Sequence, residues 1–275
     1  MGERVLVTGA TGKTGRSLVS LLNAAGLPHR AASRGGAAPF DWSRPDTWDA
    51  ALREVGSVYL VAPAGVDDAP ARMAAFLDLA IRHGARRLVL LSMASLPAGG
   101  PGPGQTHQWL QDNAEDWAVL CPTAFMQNFS EGPFLASIRD EDTLYSNTGQ
   151  GRVPFISTLD IARAAFAALT APAALNRDFT LTGDESLSYD RVAELIGQAR
   201  GRPVTHAHIT TAAMAERFVR RGLSEGMAMF LAAGYQTIAD GAQDHIADGL
   251  RALTGQPATR FQAFAEANAA VWTRP

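Results

Sequence analysis

Apolar positions fall into two alternating patterns over the first half of the chain. Arg4–Val7, Ser57–Ala62 and Arg87–Ser92 are short, nearly continuous apolar runs that read as buried strands, with His29–Ser33 as a further strand. Between them the spacing is helical. Leu18, Leu21, Leu22 and Ala25 fall at i, i+3, i+4 and i+7, and Met73, Phe76, Leu77 and Ala80 repeat the pattern. Gly26 and Gly84 stand where each helix should stop, because glycine takes the conformation just past a helix end without steric cost. Asp46–Val55 reads as one more helix. Buried strands alternating with amphipathic helices predict a parallel sheet covered on both faces.

The pattern loosens after about Phe129. Val153–Ser157, Asp178–Thr182 and Val204–Ile209 read as strands; Thr158–Leu169, Tyr189–Arg200 and much of Thr211–Ala270 read as helix. The expected fold class is α/β, a Rossmann-type doubly wound parallel sheet with a smaller, mostly helical C-terminal substrate lobe. Residues 1–150 are expected to form the dinucleotide-binding core. Residues 151–275 complete that core and add the lobe, in one structural unit. Pro97–Gly104 holds four glycines and three prolines, so no regular element is expected there. It follows a central strand, and reads either as a mobile lid or as an inert surface loop.

Composition narrows the chemistry. The 47% hydrophobic and 19% charged content of these 275 residues is that of a globular protein. A net charge of −3 gives no electrostatic reason to expect nucleic acid or an anionic membrane as partner. Met1-Gly2-Glu3-Arg4 lacks the basic start and long apolar stretch of a signal peptide, and no run approaches the ~18 apolar residues of a membrane span. A soluble, cytoplasmic protein is expected, monomeric or homodimeric, acting on a small molecule. The single cysteine, Cys121, excludes an internal disulfide and a cysteine metal cluster. No metal is expected, since the six histidines lack carboxylate-rich ligand spacing and His206 and His208 alternate as strand residues would. Among the 24 basic residues only Lys13 is lysine, so any mechanism that needs a lysine must use it.

Thr8-Gly9-Ala10-Thr11-Gly12-Lys13-Thr14-Gly15 places three glycines three apart between a strand and a helix. Gly9 permits the tight turn, Gly12 lets backbone approach a pyrophosphate, and Gly15 allows close helix–sheet packing. Thr11, Lys13 and Thr14 complete the cradle, and the pyrophosphate is expected on the N–H groups at the positive helix end. Gly12-Lys13-Thr14 also resembles the end of an ATPase phosphate loop. That loop requires glycine where this chain has Val7, which removes the reading. NAD sites place a carboxylate about 20 residues past the motif. Here the second strand ends Ala32-Ser33-Arg34, with no carboxylate before Asp41. Ser33, Arg34 and Lys13 suit a 2′-phosphate, so NADP(H) is the cofactor expected.

Short-chain dehydrogenases commonly pair a serine with Tyr-x-x-x-Lys, the lysine lowering the tyrosine pKa so that it can protonate an alkoxide. This chain lacks that pair: none of Tyr59, Tyr145, Tyr189 and Tyr235 is followed four residues later by lysine. Ser92 keeps the serine position at a strand end. The following helix carries His107, which reads either as a replacement acid or cofactor contact, or as a partly exposed histidine of a first helical turn.

These stretches resemble the NmrA-like atypical short-chain dehydrogenases, and within them the ergot-alkaloid reductase (festuclavine dehydrogenase-like) branch. The likeness rests on the glycine turn, Phe40-Asp41-Trp42 with Thr47-Trp48, Leu60-Val61-Ala62-Pro63, the His107 helix and Phe125-Met126-Gln127-Asn128-Phe129. Thr148-Gly149-Gln150-Gly151-Arg152, Pro154-Phe155-Ile156 and Asp160-Ile161-Ala162 complete it, so nearly the whole chain is covered. The resemblance implies NADP(H) on the glycine turn, with Asp41-Trp42 beside the adenine and Ala62-Pro63 flanking the nicotinamide-side ribose. It implies a substrate pocket near Met93, Phe125, Asn128 and Phe155, although core packing also explains the aromatic positions. Two departures stand out. Cys121-Pro122 replaces a frequent Arg-Pro, and Gln111 replaces a frequent glutamate four residues past the helix histidine.

Reduction of a ketone creates an alkoxide that needs a proton, whereas reduction of an iminium gives a neutral amine and needs none at the reacting carbon. The expected function is therefore an NADPH-dependent reductase of an imine, an iminium or another electron-poor acceptor, such as a quinone or enone, of a specialised-metabolite type. The alternative is a non-catalytic NADP(H)-binding redox sensor that regulates a partner protein.

Overall fold

Seven parallel strands build the sheet that the alternating apolar runs call for. They are β1 (Arg4–Val7), β2 (His29–Ser33), β3 (Ala38–Pro39), β4 (Val55–Val61), β5 (Arg87–Leu91), β6 (Asp116–Pro122) and the strand Arg177–Leu181. The computed structural model describes residues 4–63, 66 and 68–273. Met1–Glu3, on which the expectation of no leader partly rests, lie outside the described residues. The order across the sheet is β3-β2-β1-β4-β5-β6 and then Arg177–Leu181. The chain thus runs outward from β1 in one direction, returns, and runs outward in the other. Doubly wound sheets bind ligands at this reversal, outside the carboxyl ends of the strands.

The residues divide into two units that share the chain in an interleaved way. The first holds the chain to Pro122, Thr158–Leu181 and Asp248–Gln256; the second holds Thr123–Ser157, Thr182–Ala247 and the chain from Pro257. The chain therefore re-enters the first unit twice after Pro122. The returning segments have structural work there. The helix Thr158–Leu169 packs on α1 (Lys13–Ala24), and Arg177–Leu181 pairs with β6.

Alternate residues of each strand in the first unit bury on opposite faces. Leu6, Val58, Leu60, Leu88, Leu90, Val119 and Cys121 join a core with Met73, Phe76 and Leu77 of α3 (Ala69–Arg82) and Leu110 of α4 (Pro103–Asn113). The helix expected over Asp46–Val55 is shorter, a 3-10 turn at Pro45–Thr47 followed by α2 (Trp48–Leu52). It cannot continue, because Glu54 sits at φ +61° and Val55 already belongs to β4. The strand β6 lies outside the expected set, although Trp117–Pro122 is an unbroken buried run of the same kind as its neighbours. Pro97–Gly104 folds on itself, with Gly99 N donating to Gly104 O at 2.8 Å and Gly100 N to Pro97 O at 3.1 Å. Its last two residues begin α4, where proline lacks only an N–H that has no helical partner anyway.

The second unit is mostly helical. Its longer helices are Tyr189–Arg200, Thr211–Val219 and Glu225–Ala239, and Ser188, Thr210 and Ser224 cap them by accepting a first-turn N–H. Thr143–Ser146 pairs in parallel with Thr205–His208, and Arg152–Val153 pairs antiparallel with Leu187–Ser188. The strand expected over Val153–Ser157 is cut to Arg152–Val153 at Pro154, which has no N–H to give a ladder. Phe129, Phe134, Phe155, Tyr189 and Phe261 pack ring on ring with centroids 5.2–5.8 Å apart. No described helix is long and apolar enough to cross a membrane.

One buried cation ties this unit together. The guanidinium of Arg200 donates to the carbonyls of Ile138 at 2.7 Å, Arg202 at 2.9 Å, Pro203 at 3.0 Å and Trp272 at 3.3 Å, and pairs with Asp142. Arg200→Ala leaves these acceptors without their donor, while Asp142 keeps Arg202. The expected loss is ~2–4 kcal/mol of stability, read as a lower unfolding midpoint in urea.

Candidate functional site

The turn after β1 is built by close backbone approach. Gly9 sits at φ +62°, and Gly12 N donates back to Gly9 O at 2.9 Å. A Cβ at Gly15 would lie 2.2 Å from Gly9 O and 2.9 Å from Ala10 Cα, so only glycine lets α1 begin this near the turn. Thr8 locks β1 to β4: its hydroxyl donates to Tyr59 O at 2.9 Å and accepts from Val61 N at 2.9 Å. The amino end of α1 has neither a side-chain cap from Gly12 nor an acidic residue in its first turn. Thr11 and Gly12 are exposed. Uncapped N–H groups at a positive helix end, beside a glycine cradle at the sheet's reversal, fit a pyrophosphate. Thr14 is buried and its Oγ1 accepts from Tyr59 Oη at 3.1 Å, so toward a phosphate it offers its backbone N–H.

The next strand end lies on the same edge of the sheet. Ala10 N donates to Ala32 O at 3.2 Å, which brings the turn against the end of β2. Ser33 is half-buried, and Arg34 is exposed with no ion pair to a described residue. The Asp41-Trp42 segment is anchored by its own fold. Asp41 Oδ1 accepts from Ser43 N at 2.8 Å, and Asp41 O accepts from Trp48 Nε1 at 3.0 Å. Trp42 is buried edge-on against Phe40, Trp48 and Phe76, with centroids 5.0, 6.3 and 5.1 Å away. Its side chain is a core residue. Ala62 and Pro63, half-buried, follow the last residue of β4 at the same edge.

Ser92 directly follows β5. It is buried, its N donates to Leu120 O at 2.8 Å, and its Oγ has no hydrogen-bond partner among the described residues. His107 is the fifth residue of α4, and it is buried rather than partly exposed. Its Nε2 lies 3.3 Å from the amide nitrogen of Gln111, and its Nδ1 is buried with no partner among the described residues. The ring tilts against Trp117, centroids 5.8 Å apart, and Trp117 is the second residue of β6. Burial lowers the His107 pKa, a pull that the charge of Asp178 only partly offsets. The imidazole is thus held neutral, and a neutral imidazole is a poor acid.

Three of the four tyrosines and the single cysteine point the same way. Burial raises the phenol pKa of Tyr59 and Tyr189, and pushes Tyr235 up to about 12. Burial likewise pushes the Cys121 thiol up to about 12, which leaves it inert.

Relatives matched over nearly their whole length decide the family. The chain is 37% identical to an agroclavine dehydrogenase of Claviceps fusiformis, over 98% of each protein. It is 34% identical to festuclavine synthase II of Penicillium roqueforti, over 98% of this chain and 99% of that one. The chain belongs to the agroclavine and festuclavine dehydrogenase family. Among solved structures, an NADPH-dependent quinone oxidoreductase from Escherichia coli superposes with a TM-score of 0.79 at 18% identity, covering 96% of this chain and 98% of that one. That likeness is one of fold. No family profile matches the chain.

In this clavine dehydrogenase relative the residues expected around substrate have separate settings. Met93 is 43% exposed, just past Ser92. Phe125 and Asn128 are half-buried in the second unit, whereas Phe155 is buried among Phe129, Tyr189 and Phe261. Phe155 is therefore core packing, the plainer of the two readings. Gly35-Gly36 escaped the sequence reading. A Cβ at Gly36 would lie 2.5 Å from Ser33 Oγ, so the glycine keeps that hydroxyl clear. The signal was there in two glycines directly after Arg34.

Gly15→Ala should force α1 away from Gly9. The expected cost is ~1–3 kcal/mol of stability, together with a loss of dinucleotide affinity larger than unfolding accounts for. Thermal unfolding and a fluorescence titration with NADPH measure the two parts separately.

Proposed function

We propose that the chain is an NADPH-dependent reductase that delivers hydride to an iminium, or a comparably electron-poor C=N group, of a specialised metabolite. The observation that carries this reading is that burial disfavours proton donation by three of the four tyrosines and holds the helix histidine neutral. Tyr59, Tyr189 and Tyr235 all have raised pKa values, His107 is held neutral, and the only lysine opens α1 at the glycine turn. A ketone needs such a donor for its developing alkoxide. An iminium does not: hydride adds to carbon, the π electrons move to nitrogen, and the nitrogen loses its charge. Membership among agroclavine and festuclavine dehydrogenases supports a specialised-metabolite acceptor.

NADPH, when bound, supplies the hydride. The chain's own residues then bind and orient. Gly9, Gly12 and the first N–H groups of α1 hold the pyrophosphate, with the Lys13 charge at the same turn. Arg34 and Ser33 take the 2′-phosphate, the arginine by charge-assisted hydrogen bonds. Ala62 and Pro63 bound the nicotinamide-side ribose with apolar surface. Ser92 Oγ, buried and unpartnered among the described residues, is the polar atom available at the end of β5 to position an acceptor. His107 packs against Trp117 and serves structure rather than proton transfer. A quinone or enone is the second reading, favoured by the fold neighbour that reduces quinones. Such an acceptor collects its proton from water.

Two experiments test the assignment. Arg34→Ala should weaken NADPH by roughly 10–100-fold and leave NADH nearly unchanged, since only NADPH loses a charged partner. Equal losses for both would remove the 2′-phosphate role. NADPH oxidation should then be followed against cyclic iminium salts, imines, quinones and enones. Turnover on the iminium salts is expected. Turnover confined to quinones would replace the proposal with its competitor, and tight NADPH binding with no turnover would favour a redox sensor.

A further inference from the structure

A second polar cluster lies in the second unit and has no part in the reductase reading. Asp190 is the second residue of the helix Tyr189–Arg200. His206 and His208 are two apart on the strand Thr205–His208, so both rings leave the same face. Their ring centroids are 4.2 Å apart. Asp190 Oδ1 lies 3.0 Å from His206 Nδ1 and 3.5 Å from His208 Nε2, and one ligand atom from each residue falls within 4.8 Å of the other two. Ligand atoms ~2.0–2.1 Å from a tetrahedral divalent metal stand about 3.3 Å from one another. The two Asp–His separations bracket that value.

The outer contacts fit as well. His206 Nε2 is 2.8 Å from Ser146 Oγ, and that oxygen also accepts from Thr148 N. Asp190 Oδ2, the carboxylate oxygen turned away from the histidines, accepts from Gln150 Nε2 at 3.0 Å. Metal-binding imidazoles and carboxylates are typically oriented in this way by a second hydrogen bond on the far atom. His206 is buried while His208 is half exposed, so an ion would have a protein wall on one side and water on the other. Two imidazoles and one carboxylate suit zinc and its transition-metal neighbours rather than magnesium or calcium, which prefer an all-oxygen shell.

We propose that Asp190, His206 and His208 form a binding site for a zinc-class divalent metal, with water completing its shell on the His208 side. Bound there, the ion ties the start of a helix to a strand and stabilises the second unit. The test uses the purified chain, untagged and stripped with chelator, titrated with zinc chloride by calorimetry and followed by thermal unfolding. One zinc per chain and a raised melting temperature are expected, with no rise from magnesium. His208→Ala, at an exposed position that folding does not need, should abolish both effects. Ser146→Ala should weaken zinc by ~10-fold through loss of orientation. Cobalt(II) in place of zinc should give the visible bands of a four-coordinate nitrogen–oxygen site. Absence of saturable zinc binding, or binding that survives His208→Ala, would overturn the proposal.

Discussion

The approach of α1 to the Gly9 carbonyl is the constraint on which the rest of the first unit depends. Any side chain at Gly15 would collide with that carbonyl, so the helix can start here only over glycine. Starting here, it presents an uncapped positive end at the point where the strand order reverses. The Thr8 hydroxyl bridges to β4 and fixes the turn against the sheet. Ala10 ties it to β2. One steric requirement thus fixes the glycine turn at the sheet's reversal, on the edge where Arg34, Ala62 and Ser92 follow their strands.

The chemistry follows from what surrounds the titratable groups. Tyrosine serves as an acid near neutral pH when a nearby cation lowers its pKa, and here burial raises it instead. His107 has Gln111 one turn on, and an amide does not stabilise imidazolium as a carboxylate would. A site with these properties suits an acceptor that brings its own positive charge.

Much of this was legible in sequence, and the misses have physical causes. The glycine turn, the first helix and strands β1, β2 and β5 were readable because period and glycine position agree there. Asp46–Val55 read too long, since Glu54 can adopt a positive φ that propensity does not reveal. Trp42 and Phe155 came in with their motifs as site residues, yet their side chains fill cores; a motif does not say which of its atoms face a ligand. The histidine pair on Thr205–His208 looked like ordinary strand alternation. Asp190, the residue that makes it a cluster, is sixteen positions away on another element.

The central claim is that hydride reaches the acceptor without a proton from the protein. Isotope effects on turnover of an iminium substrate test it most directly, with NADPH deuterated at the transferring position and, separately, with deuterium oxide as solvent. A normal effect from the deuterated cofactor, with a solvent effect near unity, is the result predicted. A solvent effect of comparable size would mean that a proton moves in the same step, and would contradict the account.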